Sequence, residues 1–540
     1  MNQQITNNAE ARDKAQAAVV DMPVESTSLV EYQSRGKVLV IGGDEAMEFA
    51  PRLREMKLSP EVLLTSSSVE PGEVVVPLGG RSIDIKGYLG DFKITLGEKG
   101  KPNYELLTPD LVLDLSEKPL LTVVLKPPGY ITADSRDELN LMNAFNELSG
   151  LTGTFEKPRY FDYDASICAH GRSGQVGCTA CIDACPAQAI SSLVESIEVE
   201  PYLCQGGGVC ATVCPTGAIR YAYPGAADLG ERVRKLLNVY HEQGGLKPVV
   251  AFISEADYQQ VGEWPAQYLT VVVEELASVG MELWLSALAY GAANVTLISA
   301  ESLPAGVAEN LQQQLKTAWC LLEGFQLPLR VLRHLSVDNF SQEDLALMPD
   351  FPLAEFAGKN DKRRILFMAI DHLAKAAKNL ATRITLPDSA PFGRIQVDDE
   401  ACTLCMACTS VCPSKAVHAG NGEPKLIFIE GNCVQCGLCE SACPENAIQL
   451  QARYLTDPEL RRRSVVIKED SPFLCVSCGK PFATQSMIST ITLKLAGHAM
   501  FQTDRALMRL KMCEDCRVVD AVQDKEAMSA GLGQNDSIRQ

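Results

Sequence analysis

The chain has 540 residues, 46% apolar and 22% charged, with a formal net charge of −19. That length allows roughly three or four domains with cores of their own, and the apolar fraction is that of a globular protein rather than a disordered one. The acidic balance disfavours nucleic acid and anionic membrane as partners. It suits docking on a basic patch of another protein, where charge mainly speeds and orients encounter.

Residues 1–35 are polar and contain no apolar leader core. They are expected to form a flexible tail, and the chain is expected to work in the reducing cytoplasm. Residues 37–42, Lys-Val-Leu-Val-Ile-Gly, read as a buried parallel strand followed by a turn and a helix. This opens a Rossmann-like α/β N-terminal domain over 36–155, in which the runs at 73–78, 92–97, 111–115 and 121–125 predict a mixed sheet. Gly42-Gly43 is followed by Asp44 instead of the dinucleotide-binding glycine spacing, which favours a structural role.

Residues 226–395 form a second α/β layer domain, with strands at 248–254 and 294–299 and helices at 268–292 and 309–325. Glu274, Glu275 and Glu282 interrupt the longest apolar stretch, 269–298, so no membrane insertion is expected. Cys320, in the second helix, reads as a small buried apolar residue.

The other cysteines fall in close groups, several followed by proline. Disulfide frameworks belong to small secreted domains, so these groups read as metal ligands. Cys-Pro-x-x-Ala followed by Ile or Val occurs at Cys185–Ile190, Cys214–Ile219, Cys412–Val417 and Cys443–Ile448. The repeat makes residues 156–225 and 396–452 two copies of one device, each built of two half-units. In the C-terminal segment, 453–540, Cys475, Cys478, Cys513 and Cys516 form two CxxC pairs without proline. Four thiolates closing a tetrahedron read as structural Zn2+ in a zinc-ribbon-like segment. Mononuclear rubredoxin-like iron is the alternative, and a further cubane is less favoured.

Cys402, Cys405, Cys408 and Cys412-Pro413 follow C-x2-C-x2-C-x3-C-P, and so do Cys433, Cys436, Cys439 and Cys443-Pro444. Zinc knuckles use two or three close cysteines, not four with a trailing proline. The pattern resembles the bacterial-type two-cluster [4Fe–4S] ferredoxin family over about residues 395–450. The resemblance implies a ferredoxin-like module of βαβ repeats in which the fourth cysteine of each motif serves the other cluster. Cluster one then takes Cys402, Cys405, Cys408 and Cys443. Cluster two takes Cys433, Cys436, Cys439 and Cys412.

The N-terminal copy departs from the pattern. Cys178, Cys181 and Cys185-Pro186 fill the last three positions, but Gln175 stands at the first. Cys168 or His170 is the replacement, with Cys168 favoured. In the second half Cys204, Cys210 and Cys214-Pro215 are present, and Gly207 stands where the second cysteine belongs. By the exchange rule, cluster three takes Cys168, Cys178, Cys181 and Cys214 as a [4Fe–4S] site. Cluster four keeps Cys204, Cys210 and Cys185. In the family such a loss marks a [3Fe–4S] cluster; an open [4Fe–4S] cluster and a lost cluster are the alternatives.

Residues 265–300 resemble the iron–sulfur subunit of hydrogenases associated with heterodisulfide reductase, without that family's [2Fe–2S] cysteines. The resulting expectation is a multi-cluster protein that relays single electrons to or from a partner oxidoreductase, linked to formate dehydrogenase, hydrogenase, or a quinone or flavin complex. The first alternative is a subunit with its own catalytic role, although no flavin, nicotinamide or molybdenum motif is present. The second is a redox sensor, which the acidic charge and the lack of a basic helix-turn-helix disfavour; Arg461–Arg463 reads as a solvated run.

Overall fold

The computed structural model describes residues 2–22, 28–65, 75–300, 303–340, 345–358 and 361–524. The chain divides into two compact units. One comprises Met1–Ala165, Thr179–Leu193 and Ile197–Lys378; the other comprises Ser166–Cys178, Val194–Ser196 and Asn379–Gln540.

The first unit begins with a helix, Asn2–Val20, where a flexible tail was expected. Its apolar stripe is narrow: Ala11, Ala15 and Val19, spaced by four, are buried. Polar contacts complete the seat. Arg12 Nη1 donates to the Trp264 carbonyl at 3.1 Å, and Gln16 Nε2 to the Thr270 carbonyl at 3.0 Å. Residues 23–27 of the expected tail lie outside the described residues.

A five-stranded sheet follows, in the order Val75–Pro77, Ser59–Leu64, Lys37–Gly42, Leu111–Asp114, Tyr130–Thr132. All its pairings are parallel. The helices Ala46–Glu55 and Glu138–Gly150 contribute Phe49, Leu53, Phe145 and Leu148 to a core with Val38, Val40 and Leu113. Phe92 and Ile94, from an adjoining antiparallel sheet, pack with Leu39 and Ile41. The run 121–125 is not a strand. Pro119 and Pro127-Pro128 flank it, and prolines cannot donate to a ladder.

The middle of the unit is a four-stranded parallel sheet ordered Tyr268–Val273, Val249–Ser254, Asn294–Ser299, Leu332–Ser336. The helix expected over 268–292 is confined to Met281–Ala289. The β-branched run Thr270–Val273 suits a strand, and Gly280 opens the helix as its N-cap. Cys320 is half-buried on the helix Ala305–Gly324, not fully buried as expected.

In the second unit, Ile448–Leu455 pairs antiparallel with both Gly393–Val397 and Arg383–Thr385. It therefore runs through the boundary expected at 452. Val417–Ala419, Lys425–Phe428 and Val465–Glu469 make a second sheet. Ile395, Leu404, Val417 and Phe428 form the core together with Cys408, Cys433 and Cys439, so motif cysteines are core residues. Arg461 is not solvated: it is 5% exposed, donates to the Leu455 carbonyl at 2.6 Å, and lies 4.5 Å from the Tyr454 ring. Residues 525–540 of the C-terminal segment lie outside the described residues. Among the described residues, no helix is long and apolar enough to cross a membrane.

Candidate metal centres

The four repeats of the sequence are four copies of one turn. The fourth residue of each motif is left-handed: Gln188 at φ 50°, Gly217 at 75°, Lys415 at 53° and Asn446 at 51°. This turn brings the following alanine amide back toward the cysteine. Ala189 N donates to Cys185 Sγ at 3.4 Å and Ala447 N to Cys443 Sγ at 3.3 Å. The alanine and the aliphatic residue after it are no more than 6% exposed in all four copies. The motif is thus a sulfur-presenting turn anchored by one buried aliphatic side chain.

A second recurring feature lies between the cysteines. Met406, Gly437 and Gly208, at φ 63°, 81° and 72°, each open a short helix that carries the third cysteine of its motif. Thr179, at the matching place in the first motif, is right-handed at φ −114°. That motif is the one with Gln175 at its first position, so its departure extends to the backbone.

In the second unit, Cys402, Cys405, Cys408 and Cys443 line a single cavity. Burial, then the charges of Cys402, Cys405 and Cys443, pushes the Cys408 thiol up to about 12. Burial likewise raises Cys436 to about 12 and Cys439 further, with Cys412 and Cys433 among the neighbours that contribute. Cys443 accordingly sits with the first motif and Cys412 with the second. Buried sulfurs that resist ionising together fit a site whose positive charge comes from metal, because thiolate is the ligating form.

Gln175 is exposed in a short hairpin, Gly171–Arg172 paired with Gln175–Val176. The hairpin brings Ala169 and His170 back against Gly177 and Cys178. Gly177 N donates to the His170 carbonyl at 2.6 Å and Cys178 N to the Ala169 carbonyl at 3.0 Å. His170 is 2% exposed, and its Nδ1 donates to the Cys178 carbonyl at 2.9 Å. This segment belongs to the second unit, so the module expected over 156–225 is divided. Gly177 lies against the second motif: a Cβ there would meet Leu438 Cγ at 2.5 Å. The charge of Cys178 also acts on Cys436.

Cys181, Cys185, Cys204, Cys210 and Cys214 belong to the first unit. Cys185, Cys204 and Cys210 line one cavity together with Gly207. Burial, then Cys204, Cys185 and Cys181, raises Cys210 well above an ordinary thiol. A Cβ on Gly207 would meet only Pro186 Cγ, at 3.8 Å. At Gly207 the cavity wall therefore has room for a side chain and carries none.

The sulfurs of Cys475, Cys478, Cys513 and Cys516 all lie within 4.8 Å of one another. Burial works against ionising Cys475, but amides of Cys513, Cys478 and Ser477 lower its thiol to about 6. Cys513 N donates to that sulfur at 3.2 Å. Gly479, at φ 73°, makes the turn after the first pair.

Two family models, each described as a 4Fe-4S dicluster domain, match this chain. One matches residues 401–448; the other matches 176–218 and again 432–483. The chain carries 4Fe-4S dicluster domains. The match at 176–218 spans Cys178 through Cys214 and leaves Cys168 outside. The later match of that model reaches past Cys475 and Cys478. Neither model reaches residues 265–300, so nothing in them supports the hydrogenase-subunit resemblance. No curated protein matches the chain.

Sequence reasoning missed Lys157 and Lys362, which hold the backbone of Cys204 and Cys214. Lys157 Nζ donates to the Cys204 carbonyl at 2.6 Å, and Lys362 Nζ to the Cys214 carbonyl at 3.1 Å. Both are remote in sequence from the cysteines they serve, and no spacing rule links them.

Proposed function

We propose that the protein is a multi-cluster relay that passes single electrons to or from a partner oxidoreductase. What carries the reading is the single cavity lined by Cys402, Cys405, Cys408 and Cys443, because sulfurs from two separate motifs converge there. Iron–sulfur clusters held by thiolate supply one-electron chemistry. The chain's own residues fix the thiolates, exclude water and set the charge around them.

Clusters one and two use the eight cysteines of the C-terminal module, with Cys443 and Cys412 exchanged. Cluster three uses Cys168, Cys178, Cys181 and Cys214. In this assignment His170 orients the Cys178 backbone instead of ligating. Cluster four uses Cys185, Cys204 and Cys210 as a [3Fe–4S] site, since Gly207 offers no ligand. The seating of Gly177 on Leu438 supports short passage between Cys178 and the second motif. Zn2+ is assigned to Cys475, Cys478, Cys513 and Cys516. The N-terminal sheet is read as Rossmann-like from its chain order, 3-2-1-4-5, without a dinucleotide. The partner is an oxidoreductase with a basic docking face, complementary to the net charge of −19.

Anaerobic iron, sulfide and zinc counting with EPR tests the reading. About fifteen cluster irons are expected from three cubanes and one three-iron cluster, with one zinc. Fewer than about eight irons would overturn it.

A catalytic role is the second reading, and one observation favours it. The first unit holds a cavity of about 480 Å3 bordered by Ala211 and Ile219, beside the Cys210 and Cys214 turns. Glu282 Oε2 and the Tyr221 hydroxyl, both on residues lining it, are buried with no hydrogen-bond partner among the described residues. Flavin co-purifying with the anaerobic protein would support a catalytic subunit.

A further inference from the structure

Two lysines distinguish the surroundings of the N-terminal cysteines. Lys157 Nζ donates to the Cys204 carbonyl at 2.6 Å and the Tyr202 carbonyl at 3.1 Å, and lies 4.9 Å from the Tyr32 ring centroid. Lys362, at the start of the helix Lys362–Leu373, closes the end of the short helix Val209–Val213. Its Nζ donates to the carbonyls of Ala211 at 2.7 Å, Thr212 at 2.5 Å and Cys214 at 3.1 Å. Both lysines are half-buried. Among the described residues, neither has a carboxylate within ion-pair distance. Burial brings the Lys157 ammonium down to about 8, against the opposing charges of Cys204 and Glu200.

Beside the cavity of Cys402, Cys405, Cys408 and Cys443, the two nearby lysines are paired with acids. Lys468 is the cation nearest Cys402, but its Nζ donates to the Asp399 carbonyl at 2.6 Å and lies 3.5 Å from that residue's carboxylate. Glu445 borders the cavity of Cys402, Cys405, Cys408 and Cys443, and Lys494 pairs with it at 2.8 Å.

We propose that Lys157 and Lys362 hold the clusters ligated by Cys204 and Cys214 at a higher reduction potential than the C-terminal pair, which makes the N-terminal module the electron-accepting end of the chain. The inference rests on the relay reading. Reduction adds one negative charge to a cluster. A fixed, half-buried ammonium beside its ligands stabilises the reduced form, and solvent screens it less than a surface charge. The transfer moves one electron, oxidising the C-terminal module as it reduces the N-terminal one, with no bond or proton exchanged.

The test is a potentiometric EPR titration of the anaerobically purified full chain. Signals are assigned by their loss in Cys210→Ser, Cys181→Ser and Cys408→Ser. The N-terminal signals are expected to titrate at higher potential than the C-terminal ones. Lys157→Met and Lys362→Met each lower the potential of the N-terminal signals alone, and Lys→Arg restores it. If the wild-type order is reversed, the proposal fails whether or not the lysine variants fold. If the methionine variants keep their iron and their potentials, the lysines are structural caps and the proposal fails. If few irons are bound at all, the relay reading itself has failed.

Discussion

The half-unit from Cys433 to Cys443 and the half-unit from Cys204 to Cys214 follow the same backbone plan. Each has a left-handed glycine, Gly437 or Gly208, opening a short helix. Each ends in a Cys-Pro turn whose fourth residue is left-handed. Among the cysteine positions of the motif they differ at one, where Cys436 in the first corresponds to Gly207 in the second. Only Pro186 Cγ, at 3.8 Å, would meet a Cβ at Gly207, so no neighbouring side chain has filled the missing corner. The absent sulfur changes the chemistry of the site and leaves its scaffold alone. The first N-terminal half-unit is altered differently: both its backbone, at Thr179, and its ligand, at Gln175, depart from the plan.

The largest effect follows from the cysteines being core residues. Cys439→Ser should remove cluster two, about four irons per chain, and lower the melting temperature of the second unit, because Cys439 packs with Ile395, Val417 and Phe428. Iron analysis and a thermal melt check both. Unchanged iron would show that Cys439 is packing and not a ligand.

Next is Cys475→Ser. It should release about one zinc per chain with no loss of cluster iron, and loosen the segment around Gln485–Leu495 that has few buried residues. Metal analysis with limited proteolysis measures this. Coupled loss of iron would put these cysteines with the clusters.

The comparison itself can be inverted. Cys436→Gly should cost about one iron and produce the EPR signal of an oxidised three-iron cluster. Gly207→Cys should gain about one iron and abolish such a signal, with little change in stability. If neither variant alters the signal, residues 207 and 436 do not occupy corresponding corners.

The smallest effect is Thr484→Ala, at about 1 kcal/mol from loss of a helix cap. Thr484 Oγ1 accepts from Met487 N at 3.2 Å and donates to the Thr403 carbonyl at 2.8 Å, next to Cys402. Chemical denaturation should register the loss, and the Cys408-dependent EPR signal should persist.

The cysteine spacing and the Cys-Pro-x-x-Ala repeat were legible because cluster geometry demands them locally. The left-handed fourth residue was not. Gln188 and Lys415 are ordinary residues, and only Gly217 and Asn446 are types that favour a positive φ. The Ser173-Gly174 turn of the hairpin had a readable signal. The helix Asn2–Val20 escaped notice because its buried face is mostly alanine. Arg461 escaped because its carbonyl partners at Leu455 and Thr456 belong to a strand end, not to a sequence pattern.

The hairpin at Gly171–Val176 places a rule on this chain's tolerance of length variation. Successive strand residues point to opposite faces, so pairing register decides which way His170 faces. Removing two residues around Ser173 and Gly174 would shorten the ribbon and keep that direction. Removing one would turn the His170 ring away from the Cys178 carbonyl it now meets at 2.9 Å while every cysteine stayed in the sequence. Family members aligned across this turn should therefore differ in even steps.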